Sequence, residues 1–202
     1  MEEESSTKTK LDTEMISNSL PIRLTSCVVR GFGRGSKDLG IPTANVCKEN
    51  LKCKVSFDDL PCGIYWGFAR ILHKPKESSD ESTSLVSDSL PSINGVYKAA
   101  ISIGYNPYYG NEDKTIEPHL IAPSDHPSRK TSSCQETQFA DFYGSNIRLS
   151  IVGYLRPELP FEGLDKLKDA IKNDIVETER LGDQSNSTNV EEGEWIESDE
   201  EA

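Results

Sequence analysis

Five apolar runs of strand length against a single stretch of helical period constrain this chain more than any other feature. Residues 22–30 are rich in β-branched side chains, and residues 62–72, CGIYWGFARIL, are mostly apolar with aromatics, which suits a buried strand. Strand character returns at 95–104 (GVYKAAISIG), at 115–121 and at 146–155 (NIRLSIVGYL), where apolar and polar positions alternate at first. Residues 105–111, YNPYYGN, separate two of these runs with turn chemistry. Helical period is confined to 161–181, where Leu164, Leu167, Ile171 and Ile175 form one stripe with charge on the other face. Pro157 and Pro160 precede it and Gly182 follows it, as helix start and stop signals do. Many strands and one late helix predict an all-β barrel or sandwich with the helix packed on it.

The chain has 202 residues, enough for one domain with a real core, but its 35 % apolar content is low for a fully ordered globule. The charge shows where the excess polar chain lies. The formal net charge is −12, yet residues 183–202 alone carry eight acids and no Lys or Arg. Residues 1–20 and 74–92 are also acidic, so what remains is near neutral. Disordered tails are therefore expected at 1–20 and 183–202, around a folded domain at 21–182 with polar insertions at 74–92 and 123–138. Within the last tail, Trp195 and Ile196 sit among acids and could dock in a basic groove; a solvating tail is the simpler reading. Ser198, followed by acids, has the sequence of a phosphorylation site.

A near-neutral core argues against duplex nucleic acid as a partner, which needs a clustered basic face. No apolar run approaches the ~20 residues of a membrane helix. The N-terminus is polar and opens with three glutamates, unlike a signal or transit peptide. Five cysteines, an odd number with no C-x-x-C pair, read as reduced thiols in a cytoplasmic protein. The three histidines do not pair with cysteines at the ligand spacing of a zinc site.

Residues 31–45, GFGRGSKDLGIPTAN, carry the densest chemistry. Glycines let a backbone approach an anion closely, and Arg34 and Lys37 add positive charge. The loop is no Walker A sequence, because Ser36 stands where glycine should precede the lysine, and no dinucleotide fingerprint starts at Gly31 or Gly33. Pro42 favours an extended chain, so Thr43 and Asn45, two apart, face one side and offer neutral oxygens to a hard cation. By the same spacing Glu117 shares a face with Thr115 and His119, where a carboxylate could take a proton from a hydroxyl. Arg156, ending a strand before the helix, could clamp an anionic or planar ligand or pair with an acid such as Glu158. Tyr105, Tyr108, Tyr109 and Tyr143 could stack on a flat ring or simply pack.

The stretches VVRGFGRGSKDLGIPTAN (28–45), GIYWGFA (63–69), SIGYNPYY (102–109), DFYG (141–144) and IVGYLRPE (151–158), with Phe161 following, resemble the riboflavin kinase (flavokinase) family of monofunctional eukaryotic type. The resemblance runs from about residue 22 to 181. It implies a six-stranded antiparallel Greek-key barrel with a C-terminal α-helix, and transfer of the ATP γ-phosphate to the 5′-hydroxyl of riboflavin, making FMN. It implies ATP contacts at Gly31, Lys37, Thr43, Leu120 and Tyr143. Thr43 and Asn45 would bind the divalent metal, Mg2+ with Zn2+ as the alternative. Glu117 would be the base, and Arg156 and Phe161 would touch the flavin. The partners implied are riboflavin and ATP, and a monomer is expected. Pro118 departs from the family, which usually has Thr after the base, and the 123–138 insertion falls in a short family link. A non-catalytic flavin- or nucleotide-binding barrel is the rival reading, against which the joint presence of Glu117, Thr43 and Asn45 argues.

Overall fold

Alternation along each strand decides which side of the sheet becomes the inside. The computed structural model describes residues 19–31, 41–72, 95–105, 114–129, 139 and 141–200. Among these lie β1 (Ile22–Val29), β2 (Asn45–Val46), β3 (Lys52–Cys53), β4 (Gly63–Leu72), β5 (Val96–Tyr105), β6 (Lys114–Ile121), β7 (Asn146–Arg156), α1 (Leu164–Gly182) and α2 (Ser187–Glu197), with a 3-10 turn at Phe57–Asp59. Ile22, Leu24 and Val28 of β1, Tyr97, Ala99, Ile101 and Ile103 of β5, and Ile147, Leu149 and Ile151 of β7 all point to one side. With Tyr65, Ile116 and Leu120 they form a single buried cluster, the barrel interior.

All strand pairs are antiparallel, in the order β2-β1-β7-β4-β5-β6, with β3 pairing β1 separately. Strand β7 returns from late in the chain to lie between β1 and β4, the Greek-key crossover. The two ends of this order then meet. The Ala44 N–H donates to the Pro118 carbonyl at 2.9 Å, and His119 Nδ1 lies 2.7 Å from the Pro42 carbonyl. A nearly closed six-stranded barrel results, as expected, and closure removes open sheet edges.

Pro118 fits this seam for a backbone reason. In an extended strand the N–H and C=O of one residue point to the same side. The Pro118 carbonyl points to the seam, so its missing N–H is missing there and not from the β5–β6 ladder, where Ile101 faces Pro118.

The outside of the barrel is covered by two helices. Helix α1 lays Ile171 and Ile175 over Ile41, Ala100 and Ile121. The predicted stripe runs longer than the contact, since Leu164 is exposed. Helix α2 overturns the expectation of a disordered acidic tail from residue 183. Asn186 caps it, accepting from the Asn189 N–H at 2.8 Å. Trp195 and Ile196 are buried against Trp66 and Phe68 of β4. Composition misled because one of the acids is not left to water: Glu192 is fully buried and receives a guanidinium fork from Arg23 (3.0 and 2.9 Å) and the Ser150 hydroxyl (2.7 Å). The basic groove that could take Trp195 and Ile196 is on the same chain.

The start of the second insertion is tied down, with Arg129 donating to the Ala122 carbonyl (2.9 Å) and pairing with Glu179 of α1. Residues 1–18, 74–92 and 130–138, on which the remaining tail and insertion expectations fall, lie outside the described residues.

Candidate active site

The outward side chains of the seam are the ones that carry chemistry. Ala44 and Val46 point into the barrel, so Thr43 and Asn45 point out. On β6, Ile116 and Leu120 point in, so Thr115 and Glu117 point out. The bond from Ala44 to Pro118 sets the two segments in register. Thr43 Oγ1 then donates to Glu117 Oε2 at 3.3 Å, across 74 residues of sequence, and Thr115 Oγ1 donates to Glu117 Oε1 at 3.1 Å. Thr115 Oγ1 is also 3.3 Å from the Gly104 carbonyl, so its one proton serves two acceptors. These contacts are long for hydroxyl donors, which usually sit near 2.7–2.8 Å. Glu117 is oriented by them yet keeps lone pairs available.

Gly31 is pressed against Asn45. A Cβ at position 31 would lie 2.3 Å from Asn45 Nδ2, so only glycine permits this approach. Beside it, the Arg30 guanidinium stands 4.9 Å from the centre of the Tyr143 ring. Backbone bonds from Val28 N–H to Ser145 (2.9 Å) and from Gly144 N–H to Val28 (2.8 Å) stitch the Tyr143 turn to the end of β1. Tyr143 is thereby held beside the end of β1 and is 40 % exposed. Lys37 and Arg34 lie outside the described residues, as do Tyr108 and Tyr109. Leu120 is placed differently: its side chain is in the barrel interior.

On the far side of Glu117, Gly104 makes room for Glu158, whose carboxylate oxygen would lie 2.0 Å from a Cβ there. Partial removal from water raises the Glu158 carboxyl above its ordinary range; Arg156 opposes the rise and Glu117 adds to it. Arg156 pairs not with Glu158 but with Asp174 of α1, through a fork of 2.8 and 2.7 Å. Its guanidinium carbon is 5.6 Å from the Phe161 ring centre. Helix α1 thus fixes Arg156, one of the two residues expected to meet the flavin.

Sequence reasoning missed Asp174, Gly104 and Arg30. For Asp174 a signal existed: it interrupts the apolar face beside Ile175, and a charge placed there needs a partner. For Gly104 and Arg30 none existed, because their roles depend on which strand ends meet.

Thr43, Asn45 and Glu117 present hard oxygen donors on one face, the chemistry a small divalent cation accepts. Among the described residues there is no group of three His, Cys, Asp or Glu side chains that could hold a metal alone. The donor set fits an ion that draws most of its ligands from phosphate and water, as Mg2+ does.

Against known proteins, a family model described as flavokinase, riboflavin kinase, matches residues 18–181. A riboflavin kinase of Aspergillus fumigatus is 39 % identical over 158 residues, covering 76 % of this chain and 72 % of its own. A riboflavin kinase of Mus musculus is 39 % identical over 166 residues, covering 80 % and 81 %. The crystal structure of riboflavin kinase from Trypanosoma brucei shares the fold, with a TM-score of 0.53 over 88 % of this chain and 84 % of that one, at 20 % identity.

Proposed function

The chain belongs to the riboflavin kinase family, and from that premise we propose that it transfers the γ-phosphoryl group of ATP to the ribityl 5′-hydroxyl of riboflavin, making FMN, with Glu117 as the general base. The observation that carries this is the meeting of Thr43 and Glu117 on the outer face of the barrel seam. A pure binder needs a shaped surface; it does not need a carboxylate poised beside a hydroxyl and an amide oxygen.

In the reaction the riboflavin O5′–P bond forms, the γ-phosphorus–oxygen bond to ADP breaks, and the hydroxyl proton passes to Glu117. The transition state is loose, so positioning matters more than base strength. Thr115 steadies one oxygen of Glu117 while the other stays within reach of substrate. Thr43 and Asn45 would hold Mg2+, which when bound neutralises charge on the phosphate oxygens. Gly31, Lys37 and Tyr143 take the nucleotide side, supported for Gly31 by its contact with Asn45 and for Tyr143 by its place beside Arg30. Leu120 contributes through the barrel wall, not through its side chain. Arg156, held by Asp174, and Phe161, beside its guanidinium, take the flavin side.

Cys27, Cys47, Cys53 and Cys62 are free thiols, which supports a reducing, cytoplasmic setting. Among the described residues no helix is long and apolar enough to cross a membrane. The chain's own helices cover two apolar outer faces, which supports a monomer.

The test is direct: purified protein with riboflavin, ATP and magnesium, with FMN followed by chromatography. Absence of FMN overturns the assignment.

A further inference from the structure

We propose that Ser198 is a phosphorylation site whose phosphate locks α2 onto the barrel. The argument starts from an unbalanced charge. Arg148 of β7 is 4 % exposed, yet among the described residues no side-chain carboxylate forms an ion pair with it. Its Nη1 donates to the Glu200 carbonyl (2.7 Å) and its Nη2 to the Trp195 carbonyl (2.8 Å), while its Nε–H is buried with no acceptor. Burial lowers its affinity for its proton, Arg70 and Arg23 push the same way, and Asp199 and Glu200 only partly offset this. A buried guanidinium without a full counter-ion is a costly arrangement unless something supplies one.

Ser198 is the group placed to supply it. Arg148 Nη2 lies 3.4 Å from Ser198 Oγ, and Arg70 Nη1 donates to the carbonyl of the preceding residue, Glu197, at 2.5 Å. A phosphate on Ser198 brings a charge of about −1.5 to −2 and three acceptor oxygens between these two arginines. The partial negative charge of the helix end, with Asp199 and Glu200, opposes it. Two nearby guanidiniums, one of them desolvated and short of an acceptor, outweigh that opposition.

Ser198 also suits a modifying enzyme. Its backbone is extended (φ −73°, ψ 170°), having left the helix, and its side chain is partly exposed. Asp199, Glu200 and Glu201 follow it, a run that an acid-directed Ser/Thr protein kinase with a basic substrate groove recognises. Such a kinase transfers the γ-phosphoryl group of ATP. The Ser198 Oγ–P bond forms, the γ-phosphorus–oxygen bond to ADP breaks, and the hydroxyl proton goes to that kinase's base. The site lies beyond the 18–181 segment matched by the family model, so it is independent of the catalytic assignment.

The experiment treats the full chain with an acid-directed protein kinase and ATP, and locates phosphate by mass spectrometry. Phosphate on Ser198, absent in Ser198→Ala, is expected, with a rise in Tm of about 2–4 °C and slower proteolysis at residues 183–186. Arg70→Gln, a partly exposed position, should shrink that rise without preventing folding. Failure to phosphorylate Ser198 while an acidic control peptide is modified would overturn the proposal. So would a Tm that stays level or falls once Ser198 is phosphorylated.

Discussion

Two outer faces of the barrel hold a glutamate differently: at the seam Glu117 is bonded loosely, whereas under α2 Glu192 is bonded closely. At the seam, Glu117 is held by hydroxyls at 3.1 and 3.3 Å. Under α2, Glu192 is held by a guanidinium fork and a hydroxyl at 2.7–3.0 Å, and is fully buried. Both are glutamates on the outside of one barrel. On the proposed role of Glu117, the difference teaches how a carboxylate is kept for chemistry: oriented, but with lone pairs unspent. A carboxylate kept for stability has most of them used.

This contrast breaks most sharply at the two glutamates. Glu117→Gln should lower turnover by about 10²–10⁴-fold with flavin binding and Tm preserved; near-normal FMN production would remove Glu117 as the base. Glu192→Ala should do the reverse, costing about 3–5 kcal/mol in denaturant unfolding while turnover of the folded fraction stays normal. If Glu192→Ala lowered turnover and left stability alone, the division between the two faces would be wrong.

Gly31→Ala tests the seam without removing a polar group. The added methyl must displace Asn45 or the loop, so turnover should fall on the order of 10–100-fold, with KM for Mg-ATP raised. An unchanged magnesium dependence would detach Asn45 from the metal. Asp174→Asn removes one charge from the fork on Arg156, 9 % exposed on the Asp174 side. Flavin affinity should weaken by about 1–2 kcal/mol, read by fluorescence titration, with less change in KM for ATP.

The smallest effect is expected at Glu158. Its folded pKa is raised, so the fold favours the protonated form. That stability is present below the ordinary carboxylate value and is lost as pH rises through the raised one. Glu158→Gln should therefore raise Tm slightly at pH 7, and the gain should vanish below about pH 4. A gain that persists in acid would point to packing and not charge.

Much of this was legible in residues alone. The five apolar runs are five of the seven strands, and the one helical stripe is α1, because period and length carry those signals locally. Strands β2 and β3 were not legible; two residues each, they exist only because β1 offers partners. Thr43 and Asn45 were legible as donors on one face, and Glu117 as sharing a face with Thr115 and His119, since extended spacing sets a face without any fold; that both faces point out of the barrel was not legible. Asp174 and the α2 dock were not, because their meaning lies in Arg156, Arg23 and Arg148, which sequence distance hides.

The sequence by itself determined the β class, the late helix and the family, all properties of local period, residue type and motif. Only the tertiary structure decided that Glu117 meets Thr43 across a closed seam, that Pro118 lacks its N–H at that seam and not in the β5–β6 ladder, and that an acidic tail becomes a helix. Each of these turns on charge or hydrogen-bond pairing between distant segments, and such pairing is settled only when the barrel closes.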